Sequence, residues 1–541
     1  MKKASKSRYY FNIKLNSDRV SWYFEIYNHD YCVYYSKDDV SLHVPLKSRH
    51  FSSAINSNHP NWLKSSVLYQ IFVDRFQSSD KDLRGLHSVS NRIKKKSWSE
   101  VPDSYNKSKC MDFYGGNLWG VIEKLPYLQD LGISTLYFNP IFEALTHHAY
   151  DCIDYSEVAK CFGGNDALIA LSSKLNNLGM DYIIDISINH TGSKHQWLND
   201  QNTREYYVKD PLGRYKTWEG ASNLYTLDYS HDKLKDRMYR DDKSILKTWL
   251  GTPYNCRGFR FDVGHSLARD QSYFNHFTLW RDIRAALKSI ESDCLILAEY
   301  WDDASNYLKG DVWDSVTNYY GFLIPIRKFL GLSLDARNKR KYLYNSNILI
   351  ESFKSGLKEI SFEQSLLQVN MLGTHDISRL YNHKEVDDNC YFYLSCLLLT
   401  YIGVPCLYYG DEILLAGSTK TNEGYRYPMN WDSNNFQSKY FYKLKTLIYL
   451  RREEQALQQG SIYFLEAPNG VISYFRKLGD KVFFIWLNFN EDCSDLTLNI
   501  PFLCDGDILS LRSVFDSNQT LKLTQTNHMI ASDVTSGVYS N

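Results

Sequence analysis

What most constrains this chain is an alternation through its middle: short apolar runs of strand length, separated by stretches with helical periodicity. The runs are Val67–Val73, Thr135–Phe138, Tyr182–Ile186, Phe259–Phe261 and Leu295–Ala298, then weaker ones near Ser315–Thr317, Gln368–Leu372 and Cys406–Tyr409. Between them, Leu118–Leu131, Asp166–Leu178 and Phe274–Ser289 repeat apolar residues at the spacing of one helix face. Continuous apolar runs suit strands covered on both faces, and alternation with helices favours parallel pairing. Eight such strands over about 380 residues predict an α/β fold, a (β/α)8 TIM barrel with insertions. An open doubly wound sheet is the competing arrangement.

One connection, about 70 residues between Ile188 and Phe259, is too long for a plain loop and predicts an inserted subdomain at about 191–245. Residues 1–61 alternate polar and apolar, as in Tyr10 to Leu15, and predict a short N-terminal β module. The barrel then spans 62–452. From 453 to 541 the alternation returns, at Val471–Phe475 and Val482–Asn488, and predicts a C-terminal β-sandwich.

Lys+Arg and Asp+Glu are both 62, so the basic excess of a nucleic-acid binder is missing and no nucleic-acid partner is expected. Arg92–Lys96 and Arg337–Lys341 read as solvated runs. The apolar stretch Tyr391–Tyr409 raises the membrane question, but Ser395, Thr400, Gly403 and Pro405 break it into a buried helix, a turn and a strand. The 11 cysteines include no C-x-x-C, and no apolar run follows the basic start of the chain, which predicts free thiols and a cytoplasmic location. The oligomeric state stays open. Aromatic residues reach 15%, first as core material but also suited to stacking on sugar faces.

Polar residues follow several strand runs at once: Asp185 to His190 after the third, Arg260-Phe261-Asp262 on the fourth, Glu299-Tyr300-Trp301 on the fifth, Thr374-His375-Asp376 on the seventh. In a barrel these ends surround one mouth. A single acid there is ordinarily a turn or cap residue; three acids with an arginine and two histidines make a candidate site. Arg260 and Asp262 lie two apart on a strand and share a face, so the guanidinium should depress Asp262, as suits a nucleophile. Glu299 ends the next strand, about 4.8 Å away, near the roughly 5–5.5 Å carboxyl separation of retaining glycosidases. Shielding by Tyr300 and Trp301 should raise Glu299, as a general acid requires. Asp376 is placed to stabilise an oxocarbenium-like transition state.

These four runs resemble the four signature regions of the α-amylase superfamily of glycoside hydrolases. The resemblance implies Asp262 as nucleophile, Glu299 as acid/base and Asp376 as transition-state stabiliser. It implies His190, Arg260 and His375 as residues holding the sugar at the cleavage subsite, with Tyr150 of His147-His148-Ala149-Tyr150-Asp151 stacking beneath it. The run Ser66 to Phe76 is similar to the barrel entry of the cyclomaltodextrinase, neopullulanase and maltogenic amylase group. Within that group, Glu123–Leu128, Leu227-Asp228-Tyr229, Trp249–Asn255, Asn318–Phe322 and Val404–Glu412 look most like bacterial maltodextrin glucosidases. The resemblance spans about residues 60–455 and fades in both flanks.

It implies a retaining hydrolase that cleaves α-1,4-glucosidic bonds of short maltodextrin oligosaccharides and releases glucose. Cyclomaltodextrinase, neopullulanase or transglycosylase activity is the alternative; in another class stands a non-catalytic carbohydrate-binding protein on the same fold. The N-terminal module is shorter than in the family. Gln77-Ser78-Ser79-Asp80 and Gly115-Gly116-Asn117 stand where relatives hold calcium, and they predict no tight calcium. His147-His148 and His190…His195 lack zinc-site spacing, so neither a metal nor a cofactor is expected.

Overall fold

The computed structural model describes residues 2–541 apart from 6–7, 11–18, 28–31, 55–57, 80–93, 270–275, 333–344, 491–494, 501, 504–505 and 531–535. Most of the N-terminal alternation, all of Arg337–Lys341, the start of Arg92–Lys96, Phe274, Cys493's segment and Cys504 lie outside the described residues. At the centre is an 8-stranded parallel sheet: β1 (Leu68–Ile71), β2 (Thr135–Phe138), β3 (Asp181–Ile186), β4 (Gly258–Phe261), β5 (Leu295–Ala298), β6 (Ser315–Val316), β7 (Val369–Met371) and β8 (Val404–Tyr408). The order is β6-β5-β4-β3-β2-β1-β8-β7. Between β6 and β7 the chain closes through a parallel bridge, Thr317 to Val369, and the Asn318 N–H donates to the Val369 carbonyl at 2.8 Å. The sheet is a TIM barrel, and the doubly wound alternative, which needs a reversal in strand order, is excluded.

The apolar runs are continuous because each strand serves two cores. Leu68, Tyr137, Ile183, Leu295, Leu297, Val369, Met371 and Cys406 form one packed cluster inside the barrel. Tyr69, Leu136, Phe138, Tyr182, Ile184, Phe261 and Ile296 belong to the second, against the surrounding helices. Helix Leu118–Leu131 matches its expected span; the Asn117 side chain accepts from the Gly120 N–H at its start, and left-handed Gly132 ends it. Gly164–Leu178 and His276–Lys288 lie where the other two patterns predict helices. Tyr391–Tyr409 resolves into helix Asp388–Thr400 and strand β8, and no helix among the described residues is long and apolar enough to cross a membrane.

Between β3 and β4, His190–Gly192 pairs antiparallel with Leu224–Thr226, amid short helical turns. The N-terminal segment forms small antiparallel sheets, tied to helix Ser346–Glu359 by the Arg49–Glu359 ion pair at 3.0 Å and by Lys37 Nζ donating to the Glu359 carbonyl. The C-terminal segment carries a 6-stranded antiparallel sheet and a separate 2-stranded one. Alternation along its strands again feeds two cores: Ile472, Tyr474, Phe483 and Ile485 pack with the barrel's helices, while Phe475, Phe484 and Trp486 pack among themselves.

The approach of β4 to β5 depends on one glycine. Gly258 has φ +148, and a Cβ there would meet the Leu295 backbone at 2.3 Å. Gly258→Ala is expected to lower stability by about 2 kcal/mol, through backbone strain and a forced shift of the two strands. Denaturant unfolding of the variant against wild type checks this.

Candidate active site

The periodicity that fills the barrel also builds its mouth. Moving two residues along from inward apolar positions, Leu68 leads to Gln70, Tyr137 to Asn139, Ile183 to Asp185 and Leu297 to Glu299, while Gly258 leads to Arg260 and Asp262. The inner face is apolar at one end and ionisable at the other. Register does the rest: Asp185 pairs with Arg260, and Asp262 and Glu299 are the next pair after Phe261 and Ala298.

Arg260, almost fully buried, therefore meets three carboxylates. Its Nη1 donates to both Asp185 oxygens at 2.9 Å and to Asp262 Oδ1 at 3.0 Å, and its Nη2 lies 3.2 Å from Glu299 Oε2. Glu299 also accepts from Trp301 Nε1 and from the Val263 N–H, both at 2.9 Å. Val263 reaches it by adopting φ +41, a left-handed conformation that strains a β-branched residue. Tyr150 stacks on His375 with 5.5 Å between ring centroids, and its hydroxyl lies 2.7 Å from His375 Nε2 while donating to Asp185 at 2.8 Å. Asp376 sits 3.0 Å from His375 Nε2 and 3.2 Å from Arg426 Nη2, with its side chain 32% exposed. His190 is buried, 3.1 Å from Ser187 Oγ and stacked on Trp218. Six of the seven expected residues are joined by direct contacts, and His190 is held by partners of its own.

The charge balance differs from the sequence expectation. Burial raises Asp262 well above the ordinary carboxylate range, and the Glu299 charge adds to it, outweighing Arg260. Burial also acts to raise Glu299, but Arg260, the Trp301 indole N–H and the Val263 N–H prevail and lower it. The expected depression of Asp262 and elevation of Glu299 are thus reversed here. Arg260 is shared rather than private to Asp262, and Trp301 presents its polar edge rather than an apolar shield. Asp376 is lowered: His375 and Arg426 overcome its burial. Burial takes His190 down to about 3, leaving it neutral.

A raised Asp262 means that the folded chain holds this proton more tightly than the unfolded one, so stability falls as pH rises through the raised pKa. Asp262→Asn, an uncharged isostere, removes that loss. It is expected to melt above wild type at neutral pH, with the difference shrinking as pH falls toward the ordinary carboxylate range. Thermal melts across that pH range read the effect.

Sequence reasoning passed over several contributors. Asp185 stood inside a quoted run and Gln70 interrupts an apolar strand, so both carried a signal. Gln70 Nε2 and Asn139 Nδ2 each lie 3.0 Å from His375 Nδ1. Arg426, from a remote loop, carried none. After β1, Ser79 Oγ donates to Glu123 and the Asn117 amide donates to the Ser79 carbonyl. A separate buried group, Cys110, His147 and Glu423, brings ligand-type atoms within 4.8 Å of one another.

A family model described as alpha amylase, catalytic domain, matches residues 70–459. The chain is 27% identical over 496 residues to a maltogenic alpha-amylase of Bacillus acidopullulyticus, covering 88% of this chain and 77% of that one. It is 29% identical over 457 residues to a cyclomaltodextrinase of Geobacillus thermopakistaniensis, covering 82% and 71%. Among solved structures, a cyclomaltodextrinase superposes with TM-score 0.75 at 24% identity, over 98% of this chain and 88% of that one, a likeness of fold. The chain belongs to the alpha-amylase family of glycoside hydrolases.

Proposed function

We propose that this enzyme is a retaining hydrolase of α-1,4-glucosidic bonds in short linear and cyclic maltodextrins. The observation that carries the reading is the register that sets Asp262 and Glu299 at the ends of adjacent strands, about 4.8 Å apart, with one guanidinium contacting both, a spacing suited to the roughly 5–5.5 Å of retaining enzymes. Asp262 attacks the anomeric carbon while Glu299 protonates the departing oxygen; Glu299 then deprotonates the water that releases the sugar. The pair takes up its proton jointly. A glycosidic oxygen accepting a hydrogen bond from Glu299 favours the proton there and leaves Asp262 ionised. Asp376, fixed by His375 and Arg426, faces the developing positive charge. Tyr150 and His375 floor the cleavage subsite, and neutral His190 is suited to hydrogen-bond a sugar hydroxyl.

The substrate class draws on relatives named maltogenic alpha-amylase, cyclomaltodextrinase and neopullulanase. Glucose release, as in maltodextrin glucosidases, rests on motif resemblance alone and is the narrower reading. A Bacillus subtilis relative named intracellular maltogenic amylase, 28% identical, supports a cytoplasmic location. So do the described cysteines, all free thiols and all buried except Cys32. The proposed division is an N-terminal module to 61, a catalytic barrel 62–452 with its insertion at about 191–245, and a C-terminal unit from 453.

Asp262→Asn and Glu299→Gln are each expected to lower kcat by at least about 10³-fold, roughly 4 kcal/mol of barrier; a folded variant within tenfold of wild type would sink the assignment. Proton NMR before mutarotation should show the α anomer first, and a β product would mean inversion. Early products from maltohexaose, β-cyclodextrin and pullulan, followed by chromatography, test the substrate range. Opening of the cyclic substrate at a rate comparable to linear cleavage is expected. Glucose as sole early product with no ring opening would move the enzyme to the glucosidase side, and oligosaccharides longer than the substrate would reveal transglycosylation.

A further inference from the structure

Outside the catalytic mouth, three chain segments bring the ligand-type atoms of Cys110, His147 and Glu423 within 4.8 Å of one another, with Asp112 beside His147. Cys110 and Asp112 precede helix Leu118–Leu131, His147 follows β2, and Glu423 lies beyond β8; all four are buried. His147 Nε2 is 3.3 Å from Glu423 Oε2 and 3.5 Å from Asp112 Oδ1, and Cys110 Sγ is 3.6 Å from Glu423 Oε1. Despite these distances, His147 Nε2, Asp112 Oδ1 and Glu423 Oε2 have no hydrogen-bond partner of proper geometry among the described residues. Leaving a buried polar atom unsatisfied forfeits its hydration without return. Three converging on one point indicate an occupant.

The spacings suggest which. Tetrahedral ligands at about 2.0–2.3 Å from a zinc ion are separated by roughly 3.3–3.8 Å, the range of these contacts. Phe72 and Phe113 meet the His147 ring edge-on and help fix its orientation. Arg75 Nη2 is 3.8 Å from Glu423 and 3.9 Å from Asp112, but its guanidinium donates to Asp74 and to the Arg426 and Asp112 carbonyls. A thiolate and two carboxylates supply the negative charge that a dication beside Arg75 requires.

We infer that Cys110, His147 and Glu423 form a structural site for one Zn²⁺ ion, with Asp112 beside the His147 ligand. The sulfur and imidazole donors suit zinc and argue against calcium or magnesium. The three protein ligands are buried and lie apart from the catalytic mouth, so the ion holds structure rather than substrate. Binding releases the thiol proton and any proton on His147. The site bears on catalysis only through positioning: Glu423 accepts from Arg426, which in turn donates to the His375 carbonyl and to Asp376. Local spacing rules pass over it because the ligands come from segments far apart in sequence.

The test uses the full chain, stripped with a chelator and dialysed into metal-free buffer. One equivalent of Zn²⁺ per chain is expected to bind by calorimetry and to raise the melting temperature by several degrees. Co²⁺ in its place is expected to give a thiolate-to-cobalt charge-transfer band. The band should vanish in Cys110→Ser, and Glu423→Gln should weaken Zn²⁺ binding at least about tenfold, with circular dichroism confirming that both variants are folded. Failure of the wild-type chain to bind at one equivalent overturns the inference and leaves a proton on His147 between the two carboxylates. A cobalt band that survives in Cys110→Ser also overturns it, because the ion then sits on other thiols.

Discussion

One buried guanidinium organises the catalytic mouth. Arg260 stands among Asp185, Asp262 and Glu299, each within 3.2 Å, and ties three neighbouring strands together where they emerge from the barrel. Burying charge in this way is tolerated only when the geometry is good and the partners are satisfied. Parallel register supplies that geometry without help from loops. The balance is still unequal, since one cation serves three anions. Asp262 carries the imbalance as a raised pKa, a local cost in stability.

The barrel wall shows how one pattern serves two purposes. A strand alternates its faces, so every second residue points inward along its whole length. At one end those residues are Leu68, Tyr137, Ile183 and Leu297, which pack; at the other they are Gln70, Asn139, Asp185 and Glu299, which meet the mouth. The core thus anchors each of these polar side chains two residues before it appears, at a position on rigid strand. Strain is kept to the junctions. Gly258 lets β4 approach β5, and Val263 accepts a left-handed conformation that turns its N–H toward Glu299.

Other contributors arrive from outside this pattern. Tyr150 comes from the segment after β2 and reaches Asp185 and His375, and Arg426 comes from beyond β8 to fix Asp376. Their backbones are not placed by the barrel register. Each is held by a network of its own, and for Arg426 that network runs through Glu423 to the buried His147 cluster.

Much of this was legible in the sequence because it depends on local order. Apolar runs of strand length, helical spacing between them and acids at the strand ends follow from neighbours along the chain, and they suffice for the barrel and for Asp262, Glu299 and Asp376 as candidates. The sequence also determined that Arg260 and Asp262 share a face, since two residues on a strand must. Tertiary structure alone decided which carboxylates share the guanidinium, and so which way the Asp262 and Glu299 pKa values move. Those shifts depend on distances across strands and on the edge that Trp301 presents, neither of which is encoded by spacing along the chain. The same holds for the cluster of Cys110, Asp112, His147 and Glu423: electrostatics and coordination act through space, and residues 110 to 423 become neighbours only once the barrel has closed.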